Sequence, residues 1–537
     1  MATRGKRFLA RFAAFATAAV LTMSTLACGA PKQDNETTSI DTDKVSESSA
    51  AAKSKIMIFT PSDGISISSH TPLNKWAKLV PEITKSLDEA GFNSKNIKVK
   101  TDGNLVKQSE DVQDYVVNQL SSQSSQTYHH TTLIIAPAIS GNKGNEQYGD
   151  YVTNPVDAQN YDTENNDGQD KASSTADAGS SSTTSSQNSD QQQNKTDSDE
   201  ATAMEKLAKA MKLAQKAGAH TIILSNPIQD FNPDLFVSMS TPRQIGALQA
   251  RQLVSKLALA KTTKVHPKSI EIMMPVSEDD STCKTTERFS SEAFAGIWSV
   301  LGPYFKDGQA VSPSKILTSA SSENDWRSVS FKASKTAEIK SELNTRLTGS
   351  SKDGKPVHVD GIIAMNGFVS SAVIDELGDL KYTGSAADIN PEIEVSGIVG
   401  TLTGKHNLNR QAPPKPRDSK QNVSGTETET QTNSTESLAW PIVTGYGAYA
   451  DMMPEIVNGK QWMTGMEDIQ HLSGDIAVAT AAMVSGKTLT DLSYVKTLSI
   501  NDTKVATIHR KPMAISAGNL KHLLIEPGYI SLADAGL

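Results

Sequence analysis

Cysteine is almost missing from this 537-residue chain, which holds only Cys28 and Cys283, so no disulfide framework is expected. Aromatic residues make up 5% and hydrophobic residues 37%, low for a chain of this length. The shortfall is uneven, because long polar tracts dilute otherwise ordinary segments. Basic charge is scarce as well: the net charge is −8, and no basic stripe follows the first residues. That excludes nucleic acid as a partner. Signatures of catalysis are lacking too. There is no G-x-S-x-G elbow and no Ser/His/Asp set. Gly400–Lys405 is one residue short of a phosphate loop, and Gly486-Lys487-Thr488 ends a helix where such a cradle must open one. His129-His130 lack HExxH spacing, and Glu278-Asp279-Asp280 lack a calcium-loop frame. No enzyme activity, metal or cofactor is therefore expected.

What is present begins with an export signal. Arg4, Lys6, Arg7 and Arg11 precede an apolar run from Phe12 to Met23, too short and Ala-rich for a comfortable membrane span. It ends in Ser24-Thr25-Leu26-Ala27-Cys28-Gly29, which resembles a bacterial lipoprotein box. The expectation is a signal peptide over 1–28, lipidation of Cys28, and a chain anchored on the extracytoplasmic face of a bacterial cell membrane. An ordinary cleaved signal with an incidental cysteine is the alternative. With Cys28 acylated, Cys283 has no intrachain partner. Residues 29–54 are polar and patternless, and read as a flexible tether.

From Lys55 onwards apolar runs alternate with helical spacing. Strands are expected at Lys55–Thr60, Ile97–Lys100, Thr132–Ala136 and Thr221–Leu224, with helices at Leu73–Ala90, Val112–Leu120 and Ala203–Ala217. Residues 142–199 break the pattern with Ser, Asp, Asn, Gln and Thr, and read as a disordered insertion. The grammar restarts with strands Ile270–Pro275, Lys315–Thr318 and Val359–Met365, each before a helix. A second polar insertion covers 405–437. The stretch Trp440–Gly486 then packs strand, helix, strand and helix into under fifty residues, as a parallel sheet requires. The fold class is therefore α/β: two Rossmann-like lobes with parallel sheets and a hinge. The expected division is 55–236 for the N-terminal lobe, 237–462 for the C-terminal lobe and 463–537 for the return and tail.

An ordered series of phrases resembles the type I periplasmic sugar-binding proteins, notably the xylose and multiple-monosaccharide binders of ABC importers. These are Ile135-Ala136-Pro137 with Gly141, Ala214–Leu224, Val237-Ser238 with Gly246–Ala250, Val359–Asn366, Val443-Thr444-Gly445 and the tail Val505–Gly528. The resemblance implies two lobes joined by three crossovers, here near Asn226–Phe236, near Val276–Cys283 or Asp360–Asn366, and at Met463–Gln470. It also implies closure on a small solute, a sugar by default, and delivery to ABC permease subunits. The family's charged sugar contacts are missing. Its Asn-Asp pair becomes Asn366-Gly367, its Gln-Asp pair Tyr446-Gly447, and its other charged positions Asn226, Ser240 and Ala293.

Candidate ligand-binding residues at the expected strand ends are Asp63, Asn226, Gln229, Asp230, Glu278, Asp279, Trp326, Asn366 and Tyr446. Each has a plainer reading as a polar loop tip facing water or, for Trp326, as packing at a helix start. A different class of function also fits the sequence: a degenerate binding-protein fold serving as a surface sensor, scaffold or partner-binding lipoprotein, without transport.

Overall fold

A short run rich in β-branched residues is the pattern of a strand covered on both faces, and Thr131–Ile135 is buried along its whole length. The computed structural model describes residues 49–63, 70–120, 130–139, 146–150, 152, 189–277, 280–351, 353–386 and 438–537. The strands of the N-terminal half are β1 (Lys55–Pro61), β2 (Ile97–Asp102), β3 (Thr131–Ile135), β4 (His220–Leu224) and β5 (Leu235–Ser238). Next come β6 (Lys268–Ile272), β7 (Met274–Val276), β8 (Ala310–Val311), β9 (Ser330–Lys332), β10 (Gly361–Ile363), β11 (Ile442–Tyr446) and β12 (Met463–Met466). The tail supplies β13 (Val495–Ile500), β14 (Thr503–His509) and β15 (Met513–Ser516).

Two large sheets result, and β7 and β9 form a separate two-stranded parallel pair. One has seven strands in the order β13-β14-β5-β4-β3-β1-β2, and the other six in the order β15-β12-β11-β10-β6-β8. Both are parallel apart from the edge pairings β13 with β14 and β15 with β12. Helices cover the faces. The helix Trp76–Glu89 turns Trp76, Leu79, Val80, Ile83 and Leu87 inward, the 3.6-residue spacing that seats a helix on a sheet. The protein is thus α/β with two lobes, each around its own mostly parallel sheet.

The chain passes between the sheets three times: after β5, after β12 and after β14. The expected crossing at Met463–Gln470 matches the second passage. The other two expectations fail: the β4–β5 connection stays within one sheet, β6 and β8 on either side of Val276–Cys283 are neighbours in the second sheet, and β10 is followed by β11 beside it. The actual passages are at Met239–Thr241 and Arg510–Pro512. Two expected boundaries move accordingly. β5 ends at Ser238 and stays in the first lobe, and β12, expected in the returning segment, is a strand of the second.

Local differences have local causes. The expected strand Lys315–Thr318 is a turn, entered by Lys315 at φ 62, from which Leu317 still reaches the core of the second lobe. The helix before β3 starts at Leu105 rather than Val112, because Asn104 caps it by accepting from the Lys107 amide. The tract expected to be disordered over 142–199 holds the start of a helix, Ser189–Lys216, and a short turn at 146–148. The signal peptide with Cys28, most of the tether, Glu278, Asp279, His129, Gly400–Lys405 and the 405–437 insertion lie outside the described residues. No helix among the described residues is long and apolar enough to cross a membrane.

Candidate functional site between the lobes

Parallel strands present their carboxyl ends on one side of each sheet, where connecting loops gather. Three non-glycine residues are held at positive φ just beyond those ends: Ser225 after β4 (φ 66), Met365 after β10 (φ 39) and Ala448 after β11 (φ 51). Left-handed backbone at such residues costs energy and persists where surrounding structure imposes it, often at ligand sites.

The lobes meet on this side. The Leu73 amide, in the loop before the Trp76 helix, donates to the Gly447 carbonyl beyond β11 at 2.8 Å. His70 Nδ1 lies 2.7 Å from Asp451 Oδ2, and its ring packs edge-on against Tyr449 at 4.8 Å. Deeper, at the first two passages, the Ser240 amide donates to Glu467 Oε1 at 2.6 Å. The Glu467 amide in turn donates to Asn74 Oδ1 at 3.1 Å. Glu467 is 2% exposed, and burial raises its carboxyl to about 7 against the partial relief of Ser240. The buried Tyr446 ring ends β11 with Ser240, Asn74 and Glu467 around its hydroxyl, and burial with that carboxylate holds its pKa well above the usual phenol value.

Between these surfaces runs a segment of the chain itself. Residues 146–150, which follow β3, touch both lobes. Asn366 Nδ2 donates to Gln147 Oε1 at 2.9 Å, and the Tyr449 hydroxyl donates to the Gln147 carbonyl at 2.9 Å. The Tyr148 ring stacks on Phe289 at 3.9 Å between centroids and is 4% exposed. On the first lobe, Asn74 Nδ2 donates to the Tyr148 carbonyl at 3.3 Å, and the Asp150 amide donates to the Asn74 carbonyl at 2.8 Å. Asp150 accepts from Lys75 Nζ at 2.6 Å and from the Trp76 amide at 3.2 Å, at the positive end of the helix. Burial, and then the neighbouring Asp63, raise the Asp150 carboxyl to about 7, against the pull of Lys75. Val152 is also buried, within the core of the second lobe.

The sequence candidates separate by position. Asn366 contacts the segment and also caps the helix Gly367–Asp379 through the Val369 amide. Asp63 accepts from the Ala77 amide at 2.6 Å beside Asp150. Tyr446 lies beneath the segment, at the passages. Asn226 follows β4 at its carboxyl end and is buried. Gln229 and Asp230 lie at the opposite end of the sheet. Their loop returns to start β5 in parallel, and its Ile228 and Phe231 carbonyls accept from Asn501 in the β13–β14 turn. Trp326 is packing: it is 7% exposed in the core of the second lobe, with Arg327 over its ring at 4.2 Å. Asn74, Gln147, Tyr148, Asp150, Tyr449 and Glu467 went unrecognised in the sequence, and Ser240 was noted only as standing where the family resemblance implies a charged residue. The pairing of Gly with Tyr inside a polar tract (Gln147-Tyr148-Gly149-Asp150) was the available signal for the segment.

Close packing constrains several glycines of this region. A Cβ on Gly367 would come within 2.4 Å of the Tyr449 ring, and one on Gly447, held at φ +106, within 2.9 Å of it. Tyr449 fills the space that larger residues at both positions would need. The Ala293 carbonyl is pressed against Gly246, where an added Cβ would sit 2.0 Å away.

No family model matches the chain, and no curated protein does. Solved structures resemble it. An ABC-transporter solute-binding protein from Clostridium phytofermentans with bound beta-D-glucose is 14% identical, with TM-score 0.44, covering 89% of this chain and 99% of that one. A carbohydrate-transporter solute-binding protein from Chloroflexus aurantiacus with D-glucose is 16% identical, with TM-score 0.44, covering 89% of this chain and 97% of its own. A periplasmic ribose ABC transporter protein from Conexibacter woesei is 11% identical, with TM-score 0.42, covering 88% and 95%. The fold assignment rests on the chain's own two sheets and three passages.

Proposed function

We propose that this chain is an extracytoplasmic solute-binding protein that captures a small molecule between its lobes for an ABC importer, held at the cell membrane through acylated Cys28. One observation supports this most: polar groups from both lobes converge at the strand carboxyl ends, with Asn74 and Lys75 on one side and Asn366 and Tyr449 on the other. Sugar is the solute class that the sequence resemblance implies. Amides and phenol can serve hydroxyl groups, but they replace the charge-assisted bonds of the family's usual mode and hold a sugar less strongly. Capture is a population shift, with a ligand bonding both lobes only when they are closed. The chemistry of the site is recognition, not bond making.

Thermal-shift screening of the full chain against mono- and oligosaccharides tests this reading. A ligand at about 100 times its Kd adds about 2.7 kcal/mol to native stability, a rise of several degrees in the midpoint. No rise across the panel contradicts the sugar assignment.

A further inference from the structure

Residues 146–150 follow β3 and lie between the lobes, bonded to Asn74 and Lys75 on one side and to Asn366 and Tyr449 on the other. We infer that they are a resident intramolecular occupant of the interlobe cleft: a peptide that this cleft recognises, that holds the lobes together, and that any solute has to displace. The inference goes beyond the proposed transport role and does not depend on it.

The contacts form a recognition pattern rather than incidental packing. Two main-chain carbonyls, of Gln147 and Tyr148, each accept from a side chain, one on either lobe. The Gln147 amide is read by Asn366, and the Tyr148 ring by Phe289. Gly149 makes the close approach possible. It sits at φ +116, and a Cβ there would lie 2.3 Å from Asn74 Cβ and 2.7 Å from the Asn74 carbonyl oxygen. Asn74 is the shared element: its side-chain amide donates to the Tyr148 carbonyl, its own carbonyl accepts from the Asp150 amide, and its Oδ1 accepts from the Glu467 amide at the second passage. Loss of the segment therefore frees the residue that also ties the lobes at their hinge. A tethered peptide acts at an effective concentration on the order of millimolar, so even weak contacts keep the site filled.

Hydrogen exchange on the full chain, without sugar, tests this directly. In the double variant Gln147→Ala/Tyr148→Ala, the interlobe amides of Leu73 and Glu467 should exchange at least tenfold faster. The amides of β3 and β6 should keep their rates, and a free peptide of residues 146–150 should slow the interlobe amides again. Tyr148→Phe, which keeps the ring, should behave as wild type, and Gly149→Ala, which pushes into Asn74, should resemble the double variant. Unchanged exchange at Leu73 and Glu467 overturns the inference. Faster exchange in β3 and β6 as well also overturns it, because the segment would then be part of the folding core. A chain whose lobes open on substitution yet which binds no sugar overturns the transport proposal alone.

Discussion

Glu467 sits where two interlobe passages touch, and its environment makes the protein's stability depend on pH. Its carboxyl titrates near 4.5 when free and at about 7 in the fold, raised by burial. A carboxyl raised on folding favours the native state most below its unfolded value, and that advantage disappears as pH rises through the folded one. With about 1.4 kcal/mol per unit, the native state loses about 3 kcal/mol across this window. Gln in its place keeps an oxygen for the Ser240 amide and carries no charge. Urea unfolding of Glu467→Gln should therefore give a higher midpoint than wild type at pH 8.5, with the two converging towards pH 5. Equal midpoints at both pH values would show that this carboxylate is not buried as described. At this scale the sequence was partly legible. Asn366 and Tyr446 were singled out through expected strand ends and the family resemblance, whereas Asn74 and Glu467 are ordinary polar residues brought into place only by long-range contact.

Among the elements, the helices Pro242–Lys256 and Asp280–Lys306 cross with almost no space between their backbones. A Cβ on Gly246 would meet the Ala293 carbonyl at 2.0 Å, and one on Gly296 the Arg243 carbonyl at 1.9 Å. Backbone cannot yield there as a flexible side chain would. Gly296→Val should cost at least about 2 kcal/mol, within the range of strain and overpacking, read as a lowered urea midpoint. A midpoint equal to wild type would mean that the helices separate freely. Strands β1, β3 and β4 were legible because their apolar runs admit only a buried parallel strand. β13 was not, since in Val495–Ile500 only Val495 and Ile500 are buried and the run resembles a solvated edge. The segment at 146–150 was hidden for the same physical reason: its surroundings are polar, and its partners lie far away in the sequence.

For the whole molecule, two lobes are joined by three passages, and residues 146–150 bond to both of them. All the described residues belong to one compact unit over 45–537, as expected of lobes in contact. The interlobe distance, measured by pulsed spin-label spectroscopy, tests most directly whether residues 146–150 hold the lobes together. Labels replace Val99 on the exposed edge of the first sheet (44% exposed) and Val265 ahead of β6 in the second lobe (78% exposed), with both native cysteines changed to serine. Wild type should give one narrow distance, Gln147→Ala/Tyr148→Ala a longer and broader distribution, and that variant with a bound solute in place of the segment a short distance again. One unchanged narrow distance in all three samples would contradict a role for the segment in holding the lobes together.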